Sequence, residues 1–224
     1  MRAPLSPEFG QTENDIQKAG FSISARVDAP ISADSGEGTA ASMGQTTIEI
    51  AQALARLKPD LLLVLGDRTE VLATVSAALP LLIPVAHIHG GELTEGAIDD
   101  ALRHSITKMS HLHFVTTERY RDRVVQMGEE SWRVVISGAP SLDNLNSIDL
   151  LDAASLESKF GLELARPPLL VTYHPVTLEH QETGFQVQEL LAALDSCGLP
   201  VVFTQPNADT GGADGAGGAG GAAG

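Results

Sequence analysis

The chain has 224 residues, 43% of them apolar, which is enough for a sizeable core and too apolar for a disordered protein. Its formal net charge of −15 excludes the concentrated basic footprint that nucleic-acid binding needs, but leaves room for a small anionic ligand held by local Arg, His and helix N-termini. Cys197 is the only cysteine, which excludes an intramolecular disulfide and a cysteine-rich metal site; no apolar run approaches the roughly 20 residues of a membrane span. The first ten residues lack the apolar core of a signal peptide, so a cytoplasmic protein is expected.

In chain order, Met1 to Gly20 reads as a loop leading into a short helix, with Pro4, Pro7 and Gly10 as breakers. Phe21-Ser22-Ile23-Ser24 alternates apolar and polar residues and predicts a half-buried strand. Asp28 to Gly44, rich in Gly, Ser, Asp and Ala, predicts a surface loop. From Thr46 the spacing of Ile50, Ala53, Leu54 and Leu57 predicts a helix, which Pro59 stops. Leu61 to Leu65 is a continuous apolar run, the pattern of a parallel strand buried on both faces. Leu72, Val75, Ser76 and Leu79 return to helical spacing, and a strand over Pro84 to Ile88 follows. A helix over about Ala97 to Met109, a strand over Leu112 to Thr116 and a helix over Thr117 to Met127 come next, with Thr117 as N-cap and Gly128 as stop. Arg133 to Ser137 predicts another strand and Leu142 to Leu151 another helix.

This alternation of strand and helix predicts an α/β protein with a right-handed, doubly wound parallel sheet. Arg166-Pro167-Pro168 reads as a linker. Beyond it lie a strand over Leu169 to Tyr173, a helix around Phe185 to Leu194 and a strand over Val201 to Thr204. Gly211 to Gly224 is almost entirely Gly and Ala, and buries too little apolar area to offset its ordering entropy. The second unit then has about two strands and one helix, so the chain reads as truncated: a complete body and a stub.

In an open parallel sheet, ligands bind beyond the carboxyl ends of the strands. Asp67 and Arg68 stand where the first apolar run ends, and His87, His89 and Glu92 where the next one ends. On the following helix Asp100, Arg103, His104 and Thr107 share a polar face by i, i+3, i+4 spacing, with Ile98, Leu102, Ser105 and Met109 opposite. Carboxylates, arginines and histidines therefore converge on one crevice. Plainer readings compete: Asp99 and Asp100 favour the positive end of a helix dipole, and Asp67 after Gly66 suits an ordinary turn. His87 and His89 at i, i+2 on a strand have a spacing that can bind zinc, and His111 and His113 repeat it, although no HExxH or cysteine partner accompanies them and no metal is expected. His111 and His113 read better as packed or surface histidines. Neither a G-x-G-x-x-G after a strand, nor a P-loop, nor a G-x-S-x-G elbow is present.

Gly66-Asp67-Arg68, His87-Ile88-His89-Gly90-Gly91-Glu92, Ile98-Asp99-Asp100, Arg103-His104-Ser105-Ile106-Thr107-Lys108, Tyr173-His174-Pro175 and Pro206-Asn207-Ala208-Asp209 together resemble the UDP-N-acetylglucosamine 2-epimerase family. The likeness runs from about Ser6 to Gly212 and favours the hydrolysing branch, which makes N-acetylmannosamine for sialic acid synthesis. The non-hydrolysing branch usually carries His-Val-Glu-Ala-Gly-Leu-Arg where this chain has His87 to Leu93.

The resemblance implies a GT-B-type fold of two Rossmann-like domains with a UDP-sugar in the cleft. Residues 1–158 would be the N-terminal Rossmann-like domain lacking its first strand, 159–168 the linker, 169–210 the beginning of the C-terminal domain and 211–224 a disordered tail. It implies elimination of UDP to a 2-acetamidoglucal, then addition of water at C1 with protonation at C2, and it calls for no cofactor. Asp67, Glu92 and Asp100 are assigned acid/base and cation-stabilising roles, with Asp99 as understudy for Asp100. In some relatives the His89 position holds a glutamate, which leaves the catalytic position open between His89 and Glu92. Arg68, His174 and Asn207 match positions that contact the nucleotide, and His104 would orient the diphosphate or the carboxylates. A homo-oligomer is expected for the full-length protein. A UDP-linked diacetamido sugar as substrate, a non-catalytic UDP-sugar-binding remnant and a zinc protein stand as alternatives.

Overall fold

The computed structural model describes residues 13–27, 35–174 and 182–204, and the chain divides into two compact units, Met1–Pro140 and Ser141–Gly224. In the first unit a short helix α1 (Glu13–Lys18) is followed by irregular chain through Val27. Phe21 to Ser24, expected as a strand, is part of that irregular stretch, because an alternating tetrapeptide needs a neighbouring strand to complete its backbone hydrogen bonds.

Helix α2 (Gly36–Leu57) begins well before Thr46, which corrects the expected loop over its later part; residues 28–34 lie outside the described chain. The Gly38 N–H donates to the Ser35 side chain at 3.1 Å, and this cap, together with the helix's tertiary packing, overrides the poor propensity of Gly36, Gly38 and Gly44. Lys58, in the left-handed region, donates its N–H to Leu54 O and closes the helix just before Pro59.

Four strands follow, β1 (Leu62–Leu65), β2 (Val85–Ile88), β3 (Leu112–Val115) and β4 (Val134–Ile136), all parallel and adjacent in chain order. The crossovers carry α3 (Thr69–Ala78), α4 (Asp99–Lys108) and α5 (Glu118–Gln126); Thr117 caps α5 through its side chain, as expected. Leu62 pairs with Val85, and His87 of β2 lies directly beside His113 of β3. One apolar cluster joins Leu54 of α2, Val64 of β1, Val75 and Ala78 of α3, Val85 of β2 and Ile106 of α4. A second joins Val115, Val124 and Val134 of β3, α5 and β4.

The first cluster explains one departure from expectation. Helices α2, α3 and α4 all bury their apolar residues against the Leu62 and Val64 side of β1. The opposite side, Leu61, Leu63 and Leu65, is 47%, 61% and 56% exposed, so β1 is not buried on both faces.

The second unit carries α6 (Pro140–Ser147, starting at the boundary), α7 (Ala153–Phe160), β5 (Leu169–Val171), α8 (Thr183–Cys197) and β6 (Val201–Phe203), with β5 and β6 parallel. The helix expected over Leu142 to Leu151 is shorter and starts earlier. Helix α7 then forms where none was expected: Asp152 accepts from Ser155 N at 2.8 Å and Gly161 ends the helix in the left-handed region. The Gly/Ala tail lies outside the described residues. Among those described, no helix is long and apolar enough to cross a membrane.

Candidate active site

The candidate side chains of the first unit, Asp67, His89, Glu92 and Asp100 among them, gather at the carboxyl ends of β1 to β3. The ladder runs out through Gly66 N, which donates to Ile88 O at 3.0 Å, and His89 N, which donates to Phe114 O at 3.0 Å. Gly66 then takes φ +82 and His89 φ 68, so both strands turn sharply where their polar residues begin. For a histidine the left-handed region is uncommon, and here it ends the alternation of β2. His87 and His89 consequently do not act as an i, i+2 pair on one face; their rings engage different partners.

Arg103 on α4 is the hub. It is 7% exposed, and its guanidinium bonds the Asp67 carboxylate, reaches Thr94 Oγ1 at 3.1 Å and lies 3.8 Å from Glu92 Oε2. A planar fork suits this task, because several acceptors can be met by one fixed cation. Glu92 Oε1 in turn accepts from His89 Nδ1 at 2.7 Å and from Thr116 Oγ1 at 3.0 Å. Asp100 accepts from Thr94 N at 2.6 Å, so Thr94 connects Asp100 to the Arg103 group through its own backbone and hydroxyl. Asp67, Glu92 and His89 thus form one network, and Asp100 is joined to it through Thr94. Asp99 is half-buried in the first turn of α4, next to this network in sequence.

The polar face of α4 is turned inward. Arg103 and Thr107 are buried together with Ile106, whereas Ser105, expected on the apolar face, is exposed. Helical spacing groups residues on a face without saying where the face points; the partners Asp67 and His87 stabilise the inward one. His104 is half-buried, and its Nδ1 has no partner among the described residues. Arg68 stands at the start of α3, with its Nε 3.9 Å from Glu70 Oε2.

Beneath these groups lie two fully buried histidines. His87 donates from Nε2 to Gly66 O at 2.8 Å and accepts at Nδ1 from Thr107 Oγ1 at 3.2 Å. Burial lowers its pKa to about 4, against the opposing pull of the Gly66 carbonyl, so the ring is neutral at physiological pH. His113 faces Glu129, Nε2 to Oε2 3.3 Å; burial lowers its pKa too, opposed by that carboxylate. Burial acts to raise the Glu129 carboxyl, but the Lys108 hydrogen bond and charge, with His113, bring it below its ordinary value. His111 is exposed, and its Nδ1 accepts from Val85 N at 3.2 Å.

Gly90 and Gly91 let the β2 loop pass between helices. A Cβ on Gly90 would lie 3.1 Å from Thr107 Oγ1 and 3.2 Å from His87 Nδ1. One on Gly91 would lie 2.5 Å from the Tyr120 carbonyl, and Arg123 bonds Gly91 O from α5. Of the other residues singled out from sequence, His174 is exposed in the second unit and Asn207 lies outside the described residues. Arg103 itself, Thr94, Thr116, Thr107 and the inward role of His87 were not among the assigned site residues. Arg103 and Thr107 were signalled by the polar face of the helix and by the Arg-His-Ser-Ile-Thr block, and His87 by the His-Ile-His-Gly-Gly-Glu block; Thr94 and Thr116 lie in neither block. Among the described residues no group of three or more His, Cys, Asp or Glu is placed to hold a metal ion.

The sequence pattern of the UDP-N-acetylglucosamine 2-epimerase family matches residues 3–214. The chain is 40% identical over 211 residues to the GDP/UDP-N,N'-diacetylbacillosamine 2-epimerase (hydrolyzing) of Campylobacter jejuni, covering 94% of this chain and 55% of that protein. It is 34% identical over 208 residues to the UDP-N,N'-diacetylbacillosamine 2-epimerase (hydrolyzing) of Legionella pneumophila, covering 93% and 55%. The chain therefore spans about half the length of these curated relatives. The crystal structure of UDP-GlcNAc 2-epimerase from Neisseria meningitidis bound to UDP-GlcNAc superposes with a TM-score of 0.68 at 19% identity, covering 91% of this chain and 57% of that one. At that identity the likeness is one of fold: α/β, Rossmann-like, of the GT-B type.

Proposed function

The chain belongs to the UDP-N-acetylglucosamine 2-epimerase family, and from that premise we propose that it carries the acid/base half of a hydrolysing 2-epimerase acting on a UDP-linked 2-acetamido sugar. The substrate in this reading is UDP-N-acetylglucosamine, converted with water to N-acetylmannosamine and UDP for sialic acid-type synthesis. The observation that carries it is the buried Arg103 holding Asp67 while standing beside Glu92 at the strand ends.

The chemistry accounts for these residue types. The C2 hydrogen of the sugar has no neighbouring carbonyl, so it cannot leave by simple enolisation. Its removal is instead coupled to departure of UDP from C1, giving the 2-acetamidoglucal. Water then adds its hydroxyl to C1 while a proton returns to C2 on the opposite face. A base, an acid and a carboxylate beside the cationic centre are required, and Asp67, Glu92 and Asp100 take these roles, with Asp99 and His89 adjacent. Arg103 places a guanidinium between the Asp67 and Glu92 side chains, bonded to the first and 3.8 Å from the second. Arg68, His174 and Asn207 are assigned to the nucleotide, and His104 to orienting the diphosphate or the carboxylates.

A second reading keeps the reaction and changes the sugar. The Campylobacter and Legionella relatives are both named for N,N'-diacetylbacillosamine, which favours a UDP-linked 2,4-diacetamido sugar as substrate.

Both readings are tested by incubating the purified chain with each UDP-sugar in deuterium oxide, measuring free UDP and mass-analysing the sugar. Elimination predicts UDP release with one solvent deuterium fixed at C2, and the faster of the two sugars decides the substrate. Asp67→Asn should cost about 10²-fold or more in turnover, the scale of a lost acid or base. UDP release without deuterium uptake refutes the elimination; no release from either sugar refutes an active chain.

A further inference from the structure

One buried group has no part in that chemistry, yet touches the three segments that carry Asp67, Glu92 and Asp100. His87 is wholly inaccessible to solvent at the end of β2. The parallel register would next bring the Gly90 N–H to the Gly66 carbonyl. The chain leaves β2 at Ile88 and His89 turns to φ 68, and it is His87 Nε2 that donates to that carbonyl, at 2.8 Å. A side chain thus stands in for a ladder hydrogen bond at the residue before Asp67.

The acceptor fixes the tautomer. A carbonyl only accepts, so Nε2 carries the proton, and in the neutral ring Nδ1 must accept. Thr107 Oγ1, 3.2 Å away on α4, is the donor. Thr107 lies one helical turn beyond Arg103, on the same inward face. The backbone of Gly90 runs against the same two atoms, so closely that a Cβ there would meet both within 3.2 Å.

Three separate segments meet at this imidazole: the Gly66–Asp67 turn, the Gly90–Glu92 loop and the α4 face that bears Arg103 and Asp100. Packing alone would be served by an apolar residue, and burial of an imidazole works against its charged form. The matched donor and acceptor are what a positional lock requires and an apolar filler lacks.

We infer that His87 is the positioning residue of the carboxylate cluster, its neutral ring donating to Gly66 and accepting from Thr107 so that Asp67, Glu92 and Arg103 keep one mutual geometry. The inference rests on the function proposed above, in which those side chains act together.

The test compares His87→Phe, His87→Gln, Thr107→Val and Thr107→Ser in the whole chain. His87→Phe fills the site without a donor and should lower kcat for UDP release about 10²-fold, the scale of a misplacement near 1 Å, with KM changed less than about 3-fold. His87→Gln keeps an N–H for Gly66 and should recover most of the loss. Thr107→Ser should match the parent and Thr107→Val should fall between. Long-range proton–nitrogen spectra of histidine-labelled protein should show His87 protonated on Nε2 and bare on Nδ1 at neutral pH. The carboxyl-carbon resonance of Asp67 should move in His87→Phe and return in His87→Gln. These two spectra need no turnover, so a chain that releases no UDP refutes the proposed function while they still decide the role of His87. An Nδ1–H or doubly protonated ring overturns the inference. So does an Asp67 resonance indifferent to His87→Phe, or a Phe variant whose loss lies in KM alone.

Discussion

Acidification should weaken the first unit through His87 in a way that can be calculated. In the unfolded chain this imidazole takes up a proton below its ordinary 6.5, whereas in the folded chain burial holds it neutral down to about 4. Between these values the unfolded state binds more protons, so stability is fully present above 6.5 and is lost as pH falls toward 4. The whole interval corresponds to about 3 kcal/mol, and between pH 7 and pH 4.5 about 2 kcal/mol of it is spent. His113 works in the same direction from the neighbouring strand, so the wild-type slope is shared and a variant is needed to isolate one ring. His87→Gln removes the titrating group and keeps a donor for Gly66. Urea unfolding is best followed by the fluorescence of Trp132, the single tryptophan, which lies in the first unit with Arg133 stacked 5.0 Å from its ring centre. With a urea slope of about 2 kcal/mol per molar, the wild-type midpoint should fall about 1 M further than that of His87→Gln over this pH range. Equal losses in the two proteins would refute the reasoning, because the buried neutral ring would then contribute nothing to the acid sensitivity.

Arg103→Met should destabilise the first unit by about 3–5 kcal/mol in the same urea assay, because it leaves the Asp67 and Glu92 carboxylates facing each other without a cation. Arg103→Lys should cost clearly less, since the charge remains and only the fork is lost; equal costs would contradict the hub. Gly91→Ala should cost about 2–4 kcal/mol, from its φ of +79 and a Cβ 2.5 Å from the Tyr120 carbonyl, read as a fall in melting temperature. Gly138→Ala, at φ +75 with nothing within 4 Å, should show only the backbone part, about 1 kcal/mol. Replacing Leu63 and Leu65 by Thr should shift melting by no more than about 1 kcal/mol and reduce self-association in light scattering, because these side chains already face water.

Most of the strands were legible because parallel strands are apolar runs between turn residues: Leu61–Leu65 is continuous, and Pro84–Ile88 is interrupted only by His87. The same pattern misled about β1, whose apolar run has one side in solvent; composition cannot say which side a helix will cover. The early half of α2 was hidden by Gly36, Gly38 and Gly44, whose poor helix propensity is overridden by the Ser35 cap and by packing on α3. Helix α7 carried readable signals in Asp152 and Gly161 that its weak apolar spacing obscured. At the site, Asp67, Glu92 and Asp100 were visible as carboxylates after strands or opening a helix. Arg103 was visible only as one member of a polar face, and its burial depends on Asp67, 36 residues away in the chain. The zinc spacing of His87 and His89 presumed an alternation that the left-handed His89 breaks.

The order of the strands bears on how the cluster comes into being during synthesis. Strands β1 to β4 lie side by side in the order in which they leave the ribosome, so each new crossover docks on an edge already made. Among the described residues, the segments from Asp67 through Thr116 hold the Arg103 network. Its last member arrives with the end of β3, well before β5 is translated. The network among these residues can therefore form while the second unit is still being made. A ribosome stalled beyond β4 should already protect the β2 amides from exchange.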